Sequence, residues 1–111
     1  MATQQRTVNY FLEQAIGAGT VSAKPMFGEY GVYVDGKMIG SVCDDRLYLK
    51  PTASGRVHAD LVAEASPYPG AKAHLLIEAD RWDDAKWLNE LLLITAAELP
   101  ISKPRKLKRG T

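Results

Sequence analysis

The sequence predicts an α+β fold: an antiparallel sheet, built from a three-strand meander plus one or two further strands, with flanking helices in the order α-β(3)-α-β(1-2)-α. Three observations predict it. Met26 to Pro51 contains three short runs of β character separated by Asp35-Gly36 and Asp44-Asp45. Asp-Gly between alternating apolar residues is the strongest short-range hairpin signal, because both central residues of a type I′ turn need φ > 0. On either side of the meander, apolar residues recur at helical spacing, and His74 to Ala79 (HLLIEA) adds an apolar run of strand length.

Thr7 to Ala18 reads as an amphipathic helix with Val8, Phe11, Leu12, Ala15 and Ile16 on one stripe, Thr3 or Thr7 at its start and Gly17 and Gly19 at its end. Val21 to Met26 leads into the meander; Pro25 lacks a backbone N–H, so the segment is expected to be an edge strand or an extended entry.

With two-residue turns, 34 pairs with 37, 33 with 38, 32 with 39 and 31 with 40, and beyond the second turn 43 faces 46, 42 faces 47 and 40 faces 49. Side chains alternate with period two. One face then collects Gly31, Tyr33, Met38, Gly40, Val42, Leu47 and Leu49, carries no charge and is expected to be buried. The other collects Tyr30, Val32, Val34, Lys37, Ile39, Ser41, Cys43, Arg46, Tyr48 and Lys50. A slip of one residue would exchange the faces, most readily at the second turn, which has no glycine.

Beyond Pro51, a second helix is expected from Ala53 to Ala65, with Val57, Leu61, Val62 and Ala65 on its apolar side. Ser66-Pro67-Tyr68-Pro69-Gly70 is a stiff turn that projects the tyrosine ring, either to cap the core edge or to touch a ligand. The last helix runs from about Asp83 to Leu99, with Asp80, Asp83 and Asp84 where the helix dipole favours negative charge. Leu88, Leu91, Leu92, Thr95 and Leu99 line one side, widened by Trp87, Leu93 and Ile94.

At 111 residues the chain is expected to be one domain over residues 1–99, followed by a flexible basic tail over 100–111. That tail holds Lys103, Arg105, Lys106, Lys108 and Arg109 and no acid, leaving nine bases against thirteen acids, a charge of −4, in residues 1–99. One cysteine excludes an internal disulfide and suits a reducing cytoplasm, the expected location. No hydrophobic run approaches the ~20 residues that a membrane span requires, so no membrane contact is expected.

No constellation of residues names a reaction. His58 and His74 lie on different elements without metal-ligand spacing, and the acids beside Cys43 oppose thiolate formation. No catalytic, cofactor or metal site is therefore expected. Val32, Ile39, Cys43 and Tyr48 form an apolar strip on the mixed face, flanked by Lys37, Arg46 and Lys50, which suits a protein partner or self-association. The five basic tail residues suit nucleic acid or an acidic partner. Gly31 opposite Gly40, near Tyr33 and Tyr68, leaves a dent that a packed helix or a small molecule would fill.

Pro25-Met26-Phe27-Gly28-Glu29-Tyr30-Gly31, Asp35-Gly36-Lys37-Met38 and Asp45-Arg46-Leu47-Tyr48-Leu49-Lys50, together with Tyr68-Pro69-Gly70-Ala71-Lys72 and the Trp87-Leu88 helix, resemble the N-terminal domain of the TfoX/Sxy family over about residues 5–104. Glu29 departs from the pattern, since the family commonly has a glycine there. The resemblance implies a secretion-chaperone-like α+β fold and no catalytic residues. It also implies a stand-alone, non-enzymatic domain, because full-length relatives add a second helical domain and regulate competence for DNA uptake with the cyclic-AMP receptor protein at promoters.

Overall fold

The computed structural model describes residues 3–26, 28–60 and 62–99; the expectations placed on Phe27, on Leu61 and on residues 100–111 lie outside them. In chain order come α1 (Gln5–Gln14), β1 (Val21–Met26), β2 (Glu29–Val34), β3 (Lys37–Cys43), β4 (Arg46–Leu49), α2 (Ala53–Ala59), β5 (Glu64–Ala65), β6 (His74–Ile77) and α3 (Ala85–Glu98). The strands form one antiparallel sheet in the order β1-β2-β3-β4-β6-β5. The α+β layout is the one expected, with β1 as an edge strand.

Both meander turns take the left-handed backbone that a tight hairpin demands. Asp35 and Gly36 have φ of 50° and 85°, and Asp44 and Asp45 have 53° and 61°. Aspartate tolerates this region better than most residues, and two of these carboxylates are held by contacts from distant parts of the chain. Asp35 Oδ1 accepts from the Thr20 N–H at 2.9 Å, and Asp45 Oδ1 from the Gln4 N–H at 3.0 Å. The second hairpin keeps the expected pairs, Cys43 with Arg46, Val42 with Leu47 and Gly40 with Leu49.

The first hairpin does not. Val34 faces Lys37 and Tyr33 faces Met38 as expected, but Val32 then faces Gly40 and Gly31 faces Ser41, which leaves Ile39 as an extra residue on β3. This β-bulge puts Val32 and Val34 on the same face as Val42, Leu47 and Leu49, and that face is the buried one. Gly31, Tyr33 and Met38, expected to be buried with them, point to the opposite face. Val32 and Ile39, expected on the mixed face, are fully buried. Gly31 and Gly40 are no longer opposed, and the Met38 and Tyr33 side chains fill the space above Gly31. No dent forms between the two glycines as expected; the hollow on this face lies at Gly40 alone.

The core joins this face, extended by Leu75 and Ile77 of β6, to Phe11, Ala15, Ala18, Ala59, Trp82, Leu88, Leu91 and Leu92. Val8, Phe11 and Ala15 of the expected first stripe are buried, whereas Ile16 is 80% exposed. The α-helix stops at Gln14 and a 3-10 turn, Ala15–Gly17, changes the angular step. Gln4 precedes the first helical residue and makes no side-chain cap, so neither expected threonine caps α1.

The second helix ends six residues before its expected end at Ala65: Asp60 turns to φ 47° after Ala59, Val57 is 79% exposed, and Glu64–Ala65 pairs as strand with β6. Thr52 caps α2 by accepting from the Gly55 N–H at 2.9 Å. Arg56 of α2 grips Glu64 through two N–H donors at 2.9 and 3.2 Å. Of the three aspartates expected at the start of the last helix, Asp84 is its cap, accepting from the Trp87 N–H at 3.2 Å.

Lys37 has a task that its place in the expected mixed face conceals. Its Nζ donates to the carbonyls of Ala96 at 2.6 Å and Leu99 at 2.8 Å, closing the C-terminal end of α3 with the charge that the helix dipole favours. Lys37→Met keeps the stem and removes the ammonium; it is expected to lower unfolding free energy by about 1–2 kcal/mol in urea titration. Unchanged stability would show that water replaces the lysine at no loss.

Candidate functional site

The face of the sheet turned away from the core carries a cleft. Ser41 pairs with Tyr48 and Cys43 with Arg46, so Ser41, Cys43 and Tyr48 all point to this side. They are 3%, 4% and 6% exposed, although no helix of the core covers them. Their shelter comes from the neighbouring edge and from the segment joining β5 to β6. Met26 of β1, Pro67, Tyr68 and Pro69 complete a cleft of about 560 Å³ with Cys43 and Tyr48, and Glu29 and Asp44 stand in its lining.

The joining segment is held as a turn. The Ser66 hydroxyl donates to the Ala71 carbonyl at 2.8 Å, the Ala71 N–H donates to the Tyr68 carbonyl at 3.1 Å, and Gly70 supplies φ 89°. Prolines at 67 and 69 fix the backbone on both sides of Tyr68. The ring lines the cleft and remains 55% exposed.

Glu29 anchors the other end. One of its oxygens, Oε1, accepts from the Thr3 N–H at 2.8 Å and from the Thr3 hydroxyl, and Thr3 Oγ1 accepts from the Asp45 N–H at 3.2 Å. Glu29 thus clasps Thr3 to the β3–β4 turn.

Burial pushes the Cys43 thiol above its ordinary pKa, with the charges of Glu29 and Asp44 acting in the same direction, while a hydrogen bond to Ser41 acts against them. The thiol form is favoured in the folded state. Its contribution to stability is complete below the ordinary thiol range and is lost as pH rises through the raised value. Such a sulfur is a packing atom of the cleft at neutral pH and a poor nucleophile.

The expected strip of Val32, Ile39, Cys43 and Tyr48 is therefore divided by the bulge: the first two belong to the core, the last two to this cleft. Lys103, Arg105, Lys106, Lys108 and Arg109 lie outside the described residues. The histidines are far apart in role: His58 lies on Trp87, ring centroids 5.8 Å apart, with Nε2 at 3.2 Å from the Trp87 carbonyl, and His74 Nδ1 is 2.8 Å from the Lys72 carbonyl. Among the described residues no three His, Cys, Asp or Glu side chains stand together as metal ligands, and no helix is long and apolar enough to cross a membrane.

Sequence reasoning missed Met26 and Glu29 as cleft residues. Alternation along β1 places Met26 on this face only once β1 is paired with β2, and the Glu29 clasp depends on Thr3, twenty-six positions away. The Pro-Tyr-Pro-Gly turn was legible; where it folds back was not.

The family model of the TfoX N-terminal domain matches residues 13–98. The chain is also similar to an uncharacterized 12.7 kDa protein encoded in the trpE 5′ region of Spirochaeta aurantia, with 41% identity over 111 residues, covering all of this chain and 96% of that protein.

Proposed function

This chain belongs to the TfoX N-terminal domain family, and on that premise we propose that it is a non-enzymatic, cytoplasmic protein-contact domain acting in the regulation of transcription and of competence for DNA uptake. The observation that carries the contact role is the cleft on the outer sheet face, where Met26, Cys43, Tyr48 and the half-exposed Tyr68 ring gather apolar surface beside polar edges. Aromatic and methionine side chains in a sheltered patch are the usual anchors of a protein interface. The regulatory role rests on family membership.

Deleting the gene in its host, then measuring transcripts of the DNA-uptake genes and transformation frequency, tests the reading. Both are expected to fall, to recover with the wild-type chain, and to stay low with Tyr68→Asp, a substitution at an exposed turn position. Transcripts and transformation that do not respond to the deletion would overturn the regulatory role.

A further inference from the structure

We propose that the outer sheet face binds an extended peptide with a basic residue at one end, apolar residues in the middle and an acidic residue at the other; this deepens the protein-contact reading and rests on it. A second hollow of about 330 Å³ adjoins the cleft beside Tyr48, the two sharing Met26, Pro67 and Tyr68. Together they make a trough along β4, with Ser41, Cys43 and Tyr48 in its floor and the Pro67–Pro69 turn as its wall.

The trough is polar in the electrical sense. Glu29 and Asp44 line it at the β3–β4 turn, and Lys50, Lys72 and His74 line it beyond the other end of β4. Glu29 is held in place through the one oxygen that accepts from Thr3, and Asp44 is exposed. Arg46, the cation nearest the acidic end in sequence, is paired with Glu78 at 3.4 Å. From Asp45 to Lys50 the strand advances ~17 Å at its usual rise, the reach of about five extended residues.

This arrangement discriminates among occupants. A nucleic-acid strand, negative throughout, would be drawn to Lys50 and Lys72 and repelled at Glu29 and Asp44. A small neutral molecule would occupy the middle and leave both charged ends unused. An extended peptide satisfies all three zones at once, with apolar side chains against Met26, Pro67 and the half-exposed Tyr68 ring.

The test is selection of displayed random eight-residue peptides on the full-length chain. Retained sequences are expected to carry Lys or Arg toward one end and Asp or Glu toward the other, with apolar positions between. Lys50→Glu together with Lys72→Glu should convert the acidic preference to a basic one, and Tyr68→Ala should weaken a selected peptide by about tenfold or more. Lys72 is exposed, so Lys72→Glu alone repeats the charge test should the double variant fail to fold. No enrichment over the unselected library, or the same pattern on wild-type and charge-reversed chains, would overturn the proposal. A transformation defect in the deletion strain alongside failed selection would remove the peptide trough and keep the regulatory role.

Discussion

Trp82→Ala is expected to lower the free energy of unfolding by about 3–5 kcal/mol. Trp82 is fully buried in the 3-10 turn Ala79–Asp83 between β6 and α3. It meets the Phe11 ring edge-on at 5.3 Å and donates from Nε1 to the Ile77 carbonyl at 3.3 Å. Its own carbonyl accepts from Gln14 Nε2 at 2.7 Å, so one residue joins α1, β6 and the approach to α3. Truncation opens a void among residues fixed by three elements and leaves the Ile77 carbonyl without the indole donor. A domain of this size commonly has about 5–15 kcal/mol in total, so partial unfolding at room temperature is within range. Urea titration by circular dichroism measures it, and a loss below about 1 kcal/mol would show that the site collapses around the smaller side chain. The Tyr10 hydroxyl beside it donates to the Asp83 carboxylate, which raises the phenol pKa.

Gly40→Ala is the second large effect, by a different route. A Cβ at Gly40 would lie 2.2 Å from the Tyr48 carbonyl oxygen and 3.0 Å from Leu49 Cα. Both are backbone atoms, so no rotamer change relieves the overlap. β3 and β4 must part or the bulge must move, and the expected loss is about 3 kcal/mol or more, at the high end for overpacking. Gly31→Ala is the internal comparison. Its new methyl would meet only the ends of the Met38 and Tyr33 side chains, each at 3.3 Å, and the change expected is less than about 1 kcal/mol. Equal losses in the two variants would contradict the bulge as the reason for Gly40.

That bulge also marks where the sequence stopped being legible. The turns could be read locally, because Asp-Gly and Asp-Asp sites need φ > 0 and flanking residues alternate. The helical stripes were readable for the same reason, and Leu88, Leu91, Leu92 and Thr95 are all buried. The face assignment of β2 was not. Its reversal depends on Ile39, the extra residue opposite β2, which lies beside the close approach of Gly40 to β4, a contact across strands. Period-two arithmetic amplifies such a local insertion into an exchange of a whole strand's inside and outside. The end of α2 escaped for a related reason: Val57, Leu61 and Ala65 have helical spacing in the sequence, but Asp60 breaks the helix with a positive φ and frees Glu64 to meet Arg56. Half of the cleft was visible through Cys43, Tyr48 and Tyr68. The other half comes from pairing with β1 and from the fold-back of a turn, neither of which is local.

The borders of the sheet, described above only as β1 and β5, have a consequence for the behaviour of many molecules together. β1 presents Pro25, with no N–H to offer, and an exposed Lys24, while β5 is two residues long. A strand from another molecule would meet a missing donor and a charge at one border and only two strand residues at the other, which disfavours adding itself and then being added to in turn. Concentrated native protein should therefore resist growth into fibrils, and ordered polymer is expected only after the chain has first lost its fold.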